Sequence, residues 1–400
     1  MKAAGGGLGG PSGPGKQSKP TAVLTPKEAL DGLVAASPAG VASFNALVTA
    51  ANRNSASGFP FGNPVSIERY HVPIVAAKRY WAASKTDGIR VALGFCRDVS
   101  AGGGAAGAGA AGGHVVLRTR AGQSKGLAVQ APDILFNGTL LDVELAVRPD
   151  VGTTGGTGAL GTTGGTGAVG TTVLLVFDIA MFGGEHCSQE PLSHRLANIR
   201  DVCAGVAPAV FPGGVLGAPA LVPKSMVPLW ELGARTRVVA GADADADADA
   251  HPDAHPDPDP AIPTHGCAAD GYIFTPEDEG CARPGTAYTV FKQKPVHTLD
   301  LWVADDTLTF GREGEMRAVA TLRSSVTVCG LETLGPPPVT GCVVEMAVTA
   351  VSDTALTLTA LGFRPDKNSP NNLECVVKTL LSAADVVTLQ DVVAATRRMH

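Results

Sequence analysis

No stretch of this 400-residue chain is both long and apolar enough to cross a bilayer. The longest apolar run, Val173 to Phe182, falls well short of the roughly 20 residues a spanning helix needs. No apolar N-terminal core precedes a small-residue cleavage site, which argues against a secretory leader. The eight cysteines, at 96, 187, 203, 267, 281, 329, 342 and 375, include no C-x-x-C pair and no metal-ligand spacing. Free thiols in a reducing compartment are the simplest reading. A basic excess is missing too. The formal net charge of −6 gives no global pull toward nucleic acid, so any RNA contact has to come from a local basic groove.

Glycine and proline are plentiful, at 50 and 29 residues, and they gather in segments of low complexity. Residues 1–24 read as a disordered tail, and 101–113, 153–170 and 242–260 as expanded surface loops, which cost little closure entropy. Two of these loops imitate function. The repeated unit T-T-G-G-T-G-A-L-G contains G-x-G-x-x-G at Gly156 to Gly161, yet no clear strand precedes it and no helix follows, as a dinucleotide site requires. The Ala-Asp and His-Pro-Asp run has no fixed geometry, so an acidic disordered loop is the better reading than a metal site.

The most informative segment is Lys85-Thr86-Asp87-Gly88-Ile89-Arg90, in K-x-D-G-x-R order. A lysine becomes a nucleophile when its amine is neutral, which needs desolvation or nearby positive charge. Tyr80 to Ala83 offers an apolar lead-in that shields Lys85, Gly88 permits close backbone approach, and Arg90 offers a fork to phosphate or ribose oxygens. On its own the segment is also an ordinary hairpin turn, because Asp-Gly favours one.

Further segments occur around it in a fixed order. Phe59 to Ser66 reads F-P-F-G-N-P-V-S ahead of Lys85, and Val115 to Arg120 is a strand ending in arginine. Thr139 to Leu145 reads T-L-L-D-V-E-L, and Leu175 to Ile179 reads L-V-F-D-I. Asp270 to Pro276 reads D-G-Y-I-F-T-P, followed by Phe291-Lys292-Gln293-Lys294-Pro295, then Thr298-Leu299-Asp300. Arg364 to Asn371 reads R-P-D-K-N-S-P-N. In these motifs the chain resembles the mRNA capping guanylyltransferases, members of the covalent nucleotidyltransferase superfamily, and the resemblance runs from Phe59 to about Ser382.

The resemblance implies an α+β fold. An ATP-grasp-like nucleotidyltransferase domain of antiparallel sheets would span 25–300, and an OB-fold β-barrel lid with closing helices 301–400. It implies that Lys85 attacks the α-phosphate of GTP to give lysyl-GMP, which is then passed to the 5′-diphosphate end of RNA. It assigns nucleotide contacts to Arg90, Arg120, Glu144, Phe177, Asp270, Lys292, Lys294, Asp300, Arg364, Asp366 and Lys367, with Phe177 stacking on the guanine. Mg²⁺ or Mn²⁺ would be held by Glu144 and Asp270, since hard cations prefer oxygen ligands. The implied partners are a separate RNA 5′-triphosphatase, a cap methyltransferase and the C-terminal repeat of RNA polymerase II, in a nucleus or a virus-infected cell. Too few residues precede Phe59, and too few follow the last motif, for either missing activity to be carried here.

The residue types suit the chemistry. Expulsion of pyrophosphate requires fixed cations, and Lys292 and Lys294, alternate residues on a strand, face one side. Their charge would also depress the pKa of Lys85. By default Phe177 is core, Glu144 an outward strand residue, and 366–371 a polar turn; their place among the motifs argues otherwise. Three positions depart from the family pattern: Val143 for glycine beside the ribose-binding strand, Asp270 for glutamate, and Gln293 for tryptophan, with Gln293 facing away from the lysines. An ATP-dependent polynucleotide ligase and a catalytically inactive 5′-end-binding homologue remain as alternatives.

Patterning predicts strands at 115–120, 140–147, 173–182, 271–275, 288–294 and 298–303, then 318–322, 325–329, 343–351 and 355–361. A capping box at Thr25 opens a helix, Asn371-Asn372 caps another with Leu373, Val376, Val377, Leu380 and Leu381 at helical spacing, and a last helix begins at Thr388.

Overall fold

The computed structural model describes residues 24–52, 59–97, 113–149, 170–208, 219–232, 262–281, 284–304, 307–312, 314–335, 341–365 and 367–399. Apart from the end residues Leu24, Gly113 and Gly170, the low-complexity segments lie outside these, as does Asp366.

Two sheets form the first part of the molecule. The larger runs in the order β11 (Ala220–Pro223), β8 (Thr171–Phe182), β7 (Thr139–Arg148), β3 (Ile89–Arg97), β4 (Gly113–Thr119), β5 (Ser124–Gly126), with β9 (Glu185–His186) beside β8. The smaller runs β1 (Gly62–Ser66), β14 (Gly285–Gln293), β13 (Ala269–Pro276), β2 (Tyr80–Thr86), β12 (Val227–Pro228). Most pairings are antiparallel; β1 with β14 and β11 with β8 are parallel. A minor ribbon pairs β6 (Val129–Gln130) with β10 (Ala207–Pro208).

Alternation along β7 decides what faces where. Leu141, Val143 and Leu145 join Val91, Leu93 and Leu117 in a buried cluster, packed against α5 (Leu192–Gly205) through Leu192, Leu196, Ile199 and Val202. Asp142 and Glu144 therefore share the other face. Along that side Phe44 and Leu47 of α2 (Pro38–Ala51) cover Ala92, Val116 and Leu140. The short α4 (Asp133–Phe136) contributes Leu135 to the first cluster. Near the N-terminus α1 (Pro26–Asp31) forms as its sequence predicts: Thr25 and Glu28 make a reciprocal capping box, and Pro26 occupies the first turn.

A third sheet follows in the order β17 (Arg317–Ala318), β16 (Thr307–Phe310), β15 (Thr298–Ala304), β19 (Cys342–Val351), β20 (Ala355–Phe363), β18 (Ser325–Cys329). It curves around Leu299, Leu301, Phe310, Val344, Met346 and Leu358, and α6 (Leu373–Ala384) closes it with Val376 and Leu380. The result is an α+β molecule with an OB-like half-barrel at its C-terminal end, β17 and β18 being the open edges.

Three boundaries differ from the sequence expectation. The domain limit at 300 falls inside β15, whose partners β16 and β19 both belong to the third sheet, so the chain changes sheets between Lys294 and Thr298. The strand expected at 318–322 is a 3-10 turn at Val319–Thr321, with only Arg317–Ala318 paired. The last helix, α7 (Leu389–Met399), does not stay with the half-barrel. Leu389, Val392 and Val393 pack on Ile67 and on Val72, Val75 and Ala76 of α3 (Val72–Ala77), because its apolar face is complementary to that short helix. Arg69 fastens the return, with Nε 2.7 Å from Asp385 Oδ1 and an N–H donated to the Val386 carbonyl at 3.0 Å.

Candidate active site

A cavity of about 1000 Å³ opens between the two N-terminal sheets, lined by Lys85, Arg90, Arg120, Glu144, Phe177 and Lys292 among others. Six of the residues expected at a nucleotide site thus share one cavity, drawn from β2, β3, the end of β4, β7, β8 and β14.

Lys85 lies near the end of β2. Its Nζ donates to Asp270 Oδ1 at 2.6 Å, and Lys294 Nζ lies 2.5 Å from the other oxygen of the same carboxylate. One carboxylate therefore bridges two ammonium groups. Burial works to raise the Asp270 pKa, yet Lys85 and Lys294 hold it below the ordinary carboxylate range. The backbone makes this possible at Gly271, whose φ of +140° falls where the β13–β2 register slips between Ala269 and Tyr272. A Cβ there would lie 2.0 Å from the Gln293 carbonyl oxygen.

Gly88 serves a different contact from the one its motif suggests. A Cβ at 88 would meet the Leu145 carbonyl oxygen at 2.5 Å and Glu144 Cγ at 2.9 Å, so glycine is needed for the hairpin to close on β7. Arg90 also differs from expectation. Its Nε donates to Asp142 Oδ1 at 2.9 Å, a second nitrogen bonds the other Asp142 oxygen, and a third donates to the Gly62 carbonyl at 2.9 Å. The fork is engaged within the protein, and its charge sits 5.4 Å from the ring centroids of both Phe59 and Phe177. Arg90 therefore positions the Phe177 ring rather than presenting a free fork.

Behind Phe177 stands Arg195, fully buried, with Nε 2.7 Å from Asp178 Oδ1 and further donations to the carbonyls of Glu190 and Glu279 at 2.5 and 3.0 Å. Asp178 and Asp142 are cross-strand partners, so a part-buried and a fully buried arginine–aspartate pair flank the aromatic residue. Burial, set against Arg90, raises the Asp142 pKa to about 6.

Lys224 is a residue the sequence did not single out. It follows β11, its N–H bonds the Val176 carbonyl at 2.8 Å, and His265 Nε2 accepts from the next residue's N–H at 2.9 Å. These contacts place its ammonium 5.6 Å from the Phe177 ring centroid. Burial lowers its pKa to about 8 despite Glu144, and burial raises Glu144 to about 7 despite Lys224, Lys85 and Arg90. A lone lysine in a Pro-Lys-Ser turn matches no motif, and only its apolar flanks hinted at burial.

Lys292 lines the cavity and Lys294 lies just beyond β14, while Gln293 between them is buried on the opposite side, as expected from strand alternation. Burial lowers the Lys292 pKa, helped by Lys294, Lys85 and Arg120. Val143 does not intrude: its side chain is fully buried in the core facing away from the cavity. The branched residue in place of glycine therefore leaves the site's shape alone.

Asp300, Arg364 and Lys367 do not reach this cavity. They form their own cluster on the third sheet. Lys367 bonds Asp300, and Arg364 lies 3.3 Å from both Asp300 Oδ1 and Glu345 Oε2. Asn371 accepts from the Asp300 N–H at 2.9 Å. Among the described residues no group of three His, Cys, Asp or Glu side chains is placed to hold a metal ion. All eight cysteines are free thiols.

Residues 32–206 match the family model of the mRNA capping enzyme, catalytic domain. No curated protein sequence matches the chain. Among solved structures, a mycobacterial DNA ligase D complexed with ATP and MES aligns at 12% identity and a TM-score of 0.38, covering 78% of this chain and 96% of that one. The ligase domain of M. tuberculosis LigD aligns at 13% identity and 0.33, with the same two coverages, 78% and 96%. A Lig E DNA ligase aligns at 14% and 0.31, covering 76% and 99%. Over residues 32–206, a little under half of its length, the chain is thus similar to the catalytic domain of the mRNA capping enzyme.

Proposed function

We propose that the protein is a GTP:RNA guanylyltransferase working through a Lys85–GMP intermediate. The observation that carries this reading is the placement of Lys85, bonded to Asp270, in the wall of a cavity also lined by Phe177, Lys224, Glu144 and Lys292. In the first step the Lys85 Nζ lone pair attacks the α-phosphorus. A P–N bond forms, the bond to the bridging oxygen breaks, and its electron pair leaves with pyrophosphate. Asp270, 2.6 Å from Nζ, orients the amine, and the proton that the amine gives up passes to solvent in the open cavity. Lys292 and Lys294 neutralise the phosphate charge that builds up on the leaving group.

Phe177 supplies a stacking face for the base, held in place by Arg90 and by the Asp178–Arg195 pair. Of the two carboxylates expected to hold a divalent ion, Glu144 lines the cavity and would face one, whereas both Asp270 oxygens are taken by Lys85 and Lys294. Such an ion neutralises phosphate charge when bound. In the second step a terminal phosphate oxygen of 5′-diphosphate RNA attacks the same phosphorus. The P–N bond breaks, and the amine of Lys85 departs with a proton.

The Arg364 and Lys367 cluster is positioned on a separate sheet, and we assign it to the triphosphate on closure of the half-barrel, with Asp300 as the counter-ion that the phosphates replace. The test is incubation with α-labelled GTP or ATP and Mg²⁺ or Mn²⁺, followed by addition of diphosphate-ended RNA. Covalent label from GTP, discharged by pyrophosphate and passed to RNA, is the expected result. Label from ATP alone would assign the protein to the ligases, and no label would assign it to non-catalytic binding.

A further inference from the structure

The cavity beside Lys85 has walls that the motifs do not account for. At about 1000 Å³ it stands at the top of the range for small-molecule sites, roughly 300–1,000 Å³. One such wall is built from α1 and the turn after β4. Pro26, Lys27, Leu30 and Asp31 of α1, with Ala121 and Gln123 from the turn between β4 and β5, line the same cavity as Lys85.

This wall is firmly built. The capping box fixes the start of α1. At its other end Lys125, a largely buried lysine, donates to the carbonyls of Asp31 and Leu33 at 3.2 and 2.9 Å. The chain then adds Gly126 N–H to the Val34 carbonyl at 2.9 Å and Ala36 N–H to the Ser124 carbonyl at 3.2 Å. A short helix locked at both ends against a sheet edge makes a fixed surface, not a fraying terminus.

Its chemistry is that of a nucleoside site. Pro26, Leu30 and Ala121 offer an apolar face, and beside it the Asp31 carboxylate is bonded by the Lys27 ammonium and by the Gln123 side chain, three polar groups whose contacts a ligand would exchange. Lys27 and Asp31 pair at 2.6 Å on an exposed face, and such a pair is weak enough to exchange for a phosphate contact. The acceptor phosphate must reach the phosphorus carried by Lys85, so the nucleoside behind that phosphate has to lie within one nucleotide's length of it. We propose that the side of the cavity walled by α1, Ala121 and Gln123 receives the first nucleoside of the acceptor RNA, with Lys27 and Gln123 as its polar contacts. This rests on the guanylyl-transfer reading and adds the acceptor subsite to it. The transfer is the one written above: an acceptor phosphate oxygen gains the P–O bond as the P–N bond to Lys85 breaks.

The experiment separates the two half-reactions. Wild type, Lys27→Glu, Lys27→Arg and Gln123→Ala are each labelled with α-labelled GTP, then titrated with a short RNA bearing a 5′-diphosphate. The expected result is a rise of about fivefold or more in the RNA concentration for half-maximal transfer in Lys27→Glu and Gln123→Ala. The rate of lysyl-GMP formation should change several-fold less, and Lys27→Arg should restore the wild-type titration. Unchanged RNA titrations in both variants would overturn the inference, as would labelling and transfer falling together, which would give the wall to GTP. If wild type forms no adduct with any nucleotide, the underlying function fails first and the subsite with it.

Discussion

Removing the Asp178 carboxylate should be among the most damaging single changes in the chain. Arg195 is fully buried, and Asp178 accepts from its Nε at 2.7 Å and from a second nitrogen at 3.3 Å. Asp178→Ala leaves a guanidinium in the core with carbonyl partners and no counter-ion; deleting one member of a buried pair costs about 3–5 kcal/mol. The Ile179 N–H also loses its 2.8 Å bond to Asp178, which adds to the cost. Replacing both partners, as Asp178→Asn with Arg195→Met, should cost less than the two single losses together, by up to about 3 kcal/mol of coupling. Urea denaturation followed by tryptophan fluorescence reads both quantities, since Trp81 and Trp230 lie in the N-terminal sheets' region and contact each other. The strand residue before Asp178 is Phe177, so nucleotide labelling should slow along with the stability loss. An Asp178→Ala variant within about 1 kcal/mol of wild type would refute the view that this buried pair anchors the aromatic face.

Glu144 gives a pH signature. Its carboxyl is raised from 4.5 to about 7 in the folded protein, so the folded state binds more protons than the unfolded one between those values. Stability from this group is therefore full below about 4.5 and falls as pH rises through about 7, by up to about 3 kcal/mol. Glu144→Gln should flatten that limb in a urea series run from pH 5 to 8, the tested window chosen by those two values. Lys224, lowered to about 8, works in the opposite sense at higher pH, with stability rising between about 8 and 10.5. Gly271→Ala should destabilise and slow Lys85 labelling together, because its Cβ would lie 2.0 Å from a backbone oxygen and Asp270 would be displaced. Overpacking of that kind costs about 1–3 kcal/mol, measurable by the same denaturation, and an unperturbed variant would show that the bulge does not set the Asp270 position.

Much of the site was legible because strand alternation and local motifs are short-range. Lys85, Glu144, Phe177 and Lys292 each sit where period-two patterning faces them inward, and Asn372 caps α6 as its sequence predicts, with its side chain accepting from the Cys375 N–H at 2.8 Å. What escaped the sequence was long-range. The Arg90–Asp142 pair joins residues on neighbouring strands 52 positions apart. Lys224 is brought under Phe177 by a backbone bond and a histidine 40 residues beyond its neighbour. The return of α7 to α3 spans most of the chain, and nothing in either helix alone names its partner. Val143 departs from the family pattern, yet parity along β7 turns it into the core.

The central claim is that Lys85 becomes covalently attached to GMP, and the most direct measurement is to identify the modified residue. The protein is incubated with GTP and a divalent metal, digested, and the peptides are analysed by mass spectrometry, with Lys85→Ala, Lys224→Ala and Lys292→Ala in parallel. The account predicts a GMP adduct on the peptide containing Lys85 and its complete loss in Lys85→Ala. It predicts reduced but detectable adduct at the same residue in the other two. An adduct on Lys224 or Lys292, or one that survives in Lys85→Ala, would contradict it.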